Sequence, residues 1–401
     1  MEHSASDIWS EADDCDTVSE RTLFRIAIVG SRGIPASYGG FETFAEELSV
    51  KLKNNYVDNV FVICDAEQKQ KNNVMKEYKG VQLLYSRFKK GKNPILFYLE
   101  SILIGIKCSD ILLACGTGGG YWSFIPSLFG KIFATNPDGI GWRRAKWSLS
   151  QKIALKSMYY FSAKFSDYFV CDSLSITKII KEKFSYNKSY TIEYGAHSNP
   201  FIGKMNEQVE QVLDRYGLES RAYHLVVSRL EPENNISIIV EAYVKKKRKY
   251  PLVVIGNRRK TDYVKMIQNL ANNDVLFLDG IYIKDVLSIV RANALDYIHG
   301  HSVGGTNPSL LEAMASASLC VCHDNEFNRE VVQDNGFFFS SVESLSDIID
   351  NIESNPSEKF NSMRHNATER VNSLYNWELI AEKYFNAFRE MLDKKKRKMS
   401  H

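Results

Sequence analysis

From Phe24 to Gln333 the chain alternates short runs of branched apolar residues with longer amphipathic stretches. It does so in two series, separated by a pause at Asn199-Pro200-Phe201-Ile202-Gly203. A short apolar run bounded by glycine, proline or aspartate reads as a buried strand. Strands that alternate with helices build a parallel sheet covered on both faces, because parallel neighbours need a long crossover between them. The first series gives expected strands at 24–30, 60–65, 81–86, 110–115, 131–135, 168–172 and 190–193, with helices at 41–52, 95–107, 146–165 and 173–184. The second gives strands at 224–228, 252–256, 275–278, 295–299 and 319–323, with helices at 235–247, 262–272, 284–292, 308–317 and near 328–333. With 401 residues and 44% hydrophobic content there is material for two cores. The expected organisation is a disordered acidic tail (1–22), a Rossmann-like domain (23–200), a second Rossmann-like domain (201–375), a helix (376–393) and a basic tail (394–401). Trp377, Ile380, Tyr384, Phe388 and Met391 share one face of that helix.

Charge narrows the partners. The net charge of +3 is too small to argue for nucleic acid, and it is uneven. Residues 1–22 hold seven acids against Arg21, which leaves the rest near +9. Basic runs at Lys89–Lys92, Lys245–Lys249 and Lys394–Lys398 read as solvated faces or as contacts with an anionic membrane surface. Seven cysteines, an odd number scattered through apolar strands, suit buried thiols in a reducing cytosol. The polar, acidic start does not read as a secretory leader. The apolar stretch Ile95–Ile106 is interrupted by Glu100 and is short of the roughly 20 residues a span needs. The expected location is cytoplasmic, in association with the inner face of the plasma membrane.

Several loops fall at carboxyl ends of strands, where two facing α/β domains would line a cleft. Ser31–Gly40 carries Arg32 and the Gly39-Gly40 pair. Gly116-Thr117-Gly118-Gly119-Gly120 is rich in N–H donors and fits an anion nest. Asn136-Pro137-Asp138-Gly139 precedes Trp142, Arg143 and Arg144, a carboxylate beside an aromatic and cations that suits a sugar and a phosphate. In Ser228-Arg229-Leu230-Glu231-Pro232, Arg229 is placed to grip a diphosphate. Finally, D-Y-I-H-G-H-S-V-G-G-T-N-P-S-L-L-E-A-M-A (Asp296–Ala315) runs from a strand through two histidines and paired glycines into a helix opening at Asn307-Pro308-Ser309. The unpaired N–H groups at that helix start suit an anion, and Glu312 one turn in suits a hydroxyl beside it. A nucleoside diphosphate with its ribose has that shape; a plain capped helix has the same local signature. His299 and His301 alternate on one strand face without a third ligand at sensible spacing, and Asp14-Cys15-Asp16 lies in the tail, so no metal is assigned. No Ser-His-Asp or Cys-His grouping is readable.

The motifs I-V-G-S-R-G-I-P-A-S-Y-G-G-F-E-T-F (Ile28–Phe44), D-G-I-G-W-R-R-A-K-W (Asp138–Trp147), R-L-E-P-E-N-N (Arg229–Asn235) and H-G-H-S-V-G-G-T-N-P-S-L-L-E-A-M (His299–Met314) resemble those of the retaining, two-domain (GT-B fold) nucleotide-sugar glycosyltransferases of family four. Within them the chain resembles the bacterial rhamnosyltransferase-type group of capsule and O-antigen assembly, over about residues 24–392. The resemblance implies that the second domain binds the donor: Arg229 on the diphosphate, the Gly305-Thr306-Asn307 backbone on the phosphates, Glu312 on the ribose and His301 beside them. It implies that Gly39, Gly40, Phe41, Glu42, Trp142 and Arg143 face the acceptor, with Asp138, Arg229 and Glu312 as the catalytic set. It also implies that the last helix crosses back onto the first domain. Where the wider family has a glutamate eight positions before the one matched by Glu312, this chain has Gly304. The wider family's lysine five residues after the arginine is Asn234, and Gly141 stands where the subgroup is expected to carry an acid.

The function implied is transfer of a hexosyl group, rhamnose from dTDP-rhamnose or a UDP-linked sugar, to a lipid-linked saccharide with retention, without cofactor or metal. The alternative, motivated by Gly304 and Asn234, is a sugar-nucleotide-binding accessory subunit or a sugar-nucleotide epimerase on the same fold.

Overall fold

The computed structural model describes residues 22–400 except 37, 38, 72, 138, 145, 146, 185, 187, 259 and 260. The expected acidic tail thus lies, Thr22 apart, outside the described residues. Two sheets carry the chain. The first comprises β1 (Thr22–Val29), β2 (Val57–Cys64), β3 (Glu77–Tyr78), β4 (Val81–Tyr85), β5 (Ile111–Cys115), β6 (Ile132–Asn136), β7 (Tyr168–Cys171) and β8 (Ser189–Thr191). Their spatial order is β3-β4-β2-β1-β5-β6-β7-β8. Every pair is parallel except the β3–β4 hairpin, an antiparallel edge that the strand–helix alternation does not announce. The second sheet comprises β9 (His224–Val227), β10 (Leu252–Ile255), β11 (Val275–Leu278), β12 (Asp296–His299), β13 (Cys320–His323) and β14 (Gly336–Phe339), in the order β11-β10-β9-β12-β13-β14 and all parallel.

In each sheet the strand order reverses once, between β1 and β5 and between β9 and β12. A crevice opens at the carboxyl ends of the strands at such a point, which is where α/β sheets take ligands. The loops that leave these four strands are the ones singled out from sequence: 30–39, 116–120, 228–235 and 300–307.

Helix Trp377–Met399 returns to the first sheet. Asn376 caps it, its side-chain oxygen accepting from the Leu379 N–H at 2.8 Å. Tyr384 packs on Phe44 at 5.6 Å between ring centres, and Phe385 stacks on Tyr56 at 4.8 Å. Lys51 and Glu378 add an ion pair at 2.5 Å. The lysine run 394–398 forms the last turns of this helix instead of a separate tail. A second basic run is absorbed by packing: Lys245 pairs with Glu343 at 2.7 Å, and the buried Arg248 pairs with Asp350.

Candidate active site

On the second domain, β12 delivers the chain into the loop 300–307, and helix Pro308–Ala315 leaves it. Asn307 is the cap: its side-chain oxygen accepts from the Ser309 N–H at 2.9 Å, and Pro308 occupies the first turn, where no N–H is needed. Glu312 stands one turn further in. Arg291, almost wholly buried, donates to its carboxylate at 2.7 Å and to Ser309 Oγ at 3.1 Å. The Glu312 side chain keeps 43% exposure, so one side is held and the rest is open to the cleft. Arg291 is a residue that sequence reasoning missed; it belongs to another helix, 21 positions away, and no local pattern marks it.

Behind Arg229, whose side chain is exposed, Asn234 stands at the position of the wider family's lysine. Its amide nitrogen donates to the Arg229 carbonyl at 2.6 Å, which turns its oxygen toward His301 Nδ1 at 2.7 Å. The His301 Nδ1–H therefore donates, on this assignment of the amide, and Nε2 carries the lone pair. Burial, followed by the charges of His299, Arg144 and Arg229, holds the His301 ring well below its ordinary titration range, so it is neutral. An uncharged Asn–His pair thus stands where the resemblance implies a lysine.

The two domains touch at this loop. Gly304 has φ +148°, a conformation that L side chains rarely adopt, and a Cβ placed on it would lie 3.0 Å from His301 Nε2. A Cβ on Gly139 of the first domain would lie 2.4 Å from the Gly304 Cα. Gly305 is equally confined, its Cβ position lying 2.0 Å from Asp172 Oδ1. Thr306 is buried and donates its hydroxyl to the Asp172 carbonyl at 2.5 Å, so that hydroxyl joins the domains. Asp138 lies outside the described residues.

On the first domain, Glu42 and Glu46 lie one turn apart on helix Gly40–Asn55. Glu42 Oε1 accepts from the Arg32 N–H at 3.0 Å, and Glu46 Oε2 accepts from the Ala36 N–H at 2.6 Å. The two carboxylates hold the loop after β1 onto the helix. Glu42, expected to face an acceptor, is buried and serves as that clasp. Gly39, at φ +123°, has its Cβ position only 2.1 Å from Glu42 Oε2. The Gly40 Cβ position lies 4.0 Å from Pro308 Cγ, so two helix starts, one per domain, meet across the cleft. The Phe41 ring lies 5.8 Å from Lys90 Nζ. Arg143 is exposed, whereas Trp142 packs edge-on against Tyr159 at 4.7 Å and Phe184 at 6.1 Å, inside an aromatic cluster. The glycine run after β5 does not present an anion nest. It coils into the short helix Thr117–Trp122, and Gly118 and Gly119 lie against the Tyr98 ring, where side chains would collide. Among the described residues no group of three metal-ligating side chains converges.

Residues 210–370 match the family model described as glycosyl transferases group 1, and residues 23–197 match a domain of unknown function (DUF1972). The group 1 match thus falls on the second of the two domains. Sucrose-phosphate synthase from Thermosynechococcus elongatus superposes with a TM-score of 0.79 at 14% identity, over 92% of this chain and 100% of that one. A glycosyltransferase from Rickettsia africae gives 0.71 at 16% identity, over 92% and 99%. HepE of Anabaena, solved in complex with UDP, gives 0.70 at 16%, over 92% and 100%. Such likeness shows the fold: GT-B, two Rossmann-like domains facing across a cleft. Together with the domain match it supports a sugar transferase. No curated protein matches the chain. No helix among the described residues is long and apolar enough to cross a membrane.

Proposed function

We propose that the protein is a retaining, metal-independent hexosyltransferase that moves rhamnose from dTDP-rhamnose to a lipid-linked saccharide, in bacterial surface polysaccharide assembly at the cytoplasmic face of the plasma membrane. The observation that carries this reading is the meeting of two helix starts, at Gly40 and Pro308, beside an exposed arginine and a half-held carboxylate. Arg229 and the N–H groups around Gly305-Thr306-Asn307 take the diphosphate, and Glu312, steadied by Arg291, takes the ribose. His301 offers an uncharged nitrogen at the sugar. Gly39, Gly40, Phe41 and Arg143 border the acceptor, with Asp138 at the reacting carbon and Trp142 as a support behind it.

The chemistry asks little covalent work of the protein. The bond between the anomeric carbon and the diphosphate oxygen breaks while the acceptor oxygen bonds to that carbon on the same face. The acceptor proton passes to the departing phosphate oxygen. Arg229 and the helix start stabilise the charge that develops there, and closure of the cleft keeps water from competing. Since the charge is met by protein cations and dipoles, chelation with EDTA should leave the rate unchanged.

The deciding experiment incubates the protein with a panel of dTDP- and UDP-sugars and a lipid-linked saccharide acceptor. Transfer from dTDP-rhamnose supports the proposal, and transfer from a UDP-sugar alone changes the donor. The UDP-glucose complex of HepE makes that nucleotide the first comparison. The neutral Asn234–His301 pair favours keeping a second reading, an epimerase or an accessory subunit. A donor rearranged without acceptor, or binding without chemistry, establishes one or the other.

A further inference from the structure

One face of the first domain is apolar and cationic at once. Helices Pro94–Cys108 and Leu149–Phe165 lie on the sheet face opposite helix Trp377–Met399, with segment 117–129 wedged between them. Trp122 Nε1 donates to the Ile95 carbonyl at 3.2 Å on one side, and Phe124 meets Phe165 at 5.9 Å on the other. The outer surface of this layer leaves large apolar side chains in water: Leu149 is 76% exposed, Leu128 71%, Ile153 62% and Phe129 59%. Ile95 and Leu96 continue the patch at the start of the other helix. Large apolar side chains left in water across one layer mark a contact site.

The charge around it has one sign. Helix Leu149–Phe165 contains three lysines and no acid. Lys107, Lys152, Lys156 and Lys164 have no ion-pair partner among the described residues. The two acids of residues 94–130 are turned to internal use: Glu100 accepts from Ser86 and Arg87, and Asp110 is held by Arg25 and Lys131. Apolar side chains rimmed by unpaired lysines complement the headgroup and acyl boundary of an anionic bilayer; a second copy of the same face would repel it. In a parallel sheet these helices begin at the carboxyl ends of the strands. Ile95, Leu96, Leu149 and Ile153 therefore stand toward the rim of the cleft.

We infer that this layer, and not the lysine runs as such, is the surface by which the protein docks on an anionic lipid membrane, with its cleft rim at the bilayer. The inference rests on the lipid-linked acceptor proposed above, but its test needs neither donor nor acceptor. The full chain is sedimented with vesicles of phosphatidylcholine alone and with a third phosphatidylglycerol. The expected result is strong preference for the anionic vesicles. Lys152→Glu with Lys156→Glu should weaken that binding about thirtyfold or more, each lysine being worth about fivefold at such a surface. Leu149→Ser with Ile153→Ser should weaken it comparably and leave the thermal midpoint near the parental value, which reports that the fold survives. Equal binding to both vesicles, or variants that bind like the parent, would overturn the inference. So would a dimer in solution that the serine pair dissociates, since the face would then belong to a second copy. Loss of transfer activity with vesicle binding intact would sink the transferase reading and leave this one standing.

Discussion

At the scale of single residues, Arg229 and Gly304 make opposite statements. Arg229 is exposed and, among the described residues, is anchored through its backbone, which leaves the side chain to reach a ligand. Replacing it by alanine should lower kcat/KM for transfer about 100-fold or more, the usual loss when one donor to a developing oxyanion is removed. The thermal midpoint should barely move, and turnover at the parental rate would exclude the diphosphate role. Gly304 sits where the wider family has a carboxylate, and restoring that carboxylate should not restore anything. The backbone is at φ +148°, His301 lies within 3.0 Å of the Cβ position and the Gly139 backbone closes the other side. Gly304→Glu should therefore cost about 1–3 kcal/mol of stability and abolish transfer, read by thermal denaturation and by the donor panel. A gain in activity would mean that the site opens more widely than this geometry allows.

At the scale of elements, the returning helix does the most for the first domain. Phe388 is wholly buried on it, near Tyr384 at 5.8 Å. Phe388→Ala should destabilise the protein by about 3–5 kcal/mol, measured by denaturant unfolding, because both transfer energy and cavity are lost. The hydrophobic spacing Trp377-Ile380-Tyr384-Phe388-Met391 makes this element legible in the sequence. So are most strands of both sheets, since branched apolar runs between helices leave few other readings. Other elements were not legible. Helix Asn361–Leu374 is mostly polar, with Ala367, Val371 and the aliphatic stem of Arg364 supplying its buried side. Strand Gly336–Phe339 is four residues long and follows β13 by a short helix. At the site, the loops were readable because glycine, proline and arginine cluster there. Their partners were not: Arg291 for Glu312, Asp172 for Thr306 and Asn234 for His301 are set by the way the sheets fold up, across separations of 21 to 134 positions. Trp142 shows the reverse error. Its company of cations suggests a sugar platform, but the aromatic surface of Tyr159 and Phe184 claims its ring.

At the scale of the whole molecule, Glu47 ties the two domains. It lies on helix Gly40–Asn55 and accepts from His197 at 2.9 Å and from Lys284 of the second domain at 3.3 Å. Burial opposes its ionised form, but the hydrogen bonds and charges of His197 and Lys284 outweigh that and hold it at about 2, below the ordinary 4.5. A depressed acid stabilises the fold above its unfolded value and ceases to do so as pH falls through its folded one. The contribution should thus be whole above pH 4.5 and vanish toward pH 2, amounting to at most about 3 kcal/mol before solvent screening reduces it. Glu47→Gln should lower the thermal midpoint at neutral pH and flatten its decline over that acid range. Parallel pH profiles for the two proteins would show that the tie contributes nothing. On the far side of the cleft Glu330 performs the corresponding service, accepting from the N–H groups of Leu174 and Ser175 at 2.7 and 3.1 Å.

The meeting of Gly139 and Gly304 has a kinetic meaning. Two bare backbones separated by less than a methyl group leave no aperture at that point of the rim, and neither carries a side chain that could swing aside. Passage of a ligand through this point would require the two backbones to separate. Substitutions at the joint around Asn199-Pro200-Phe201 and at the Glu47 and Glu330 ties are therefore expected to change how readily ligand is exchanged, without touching the site itself.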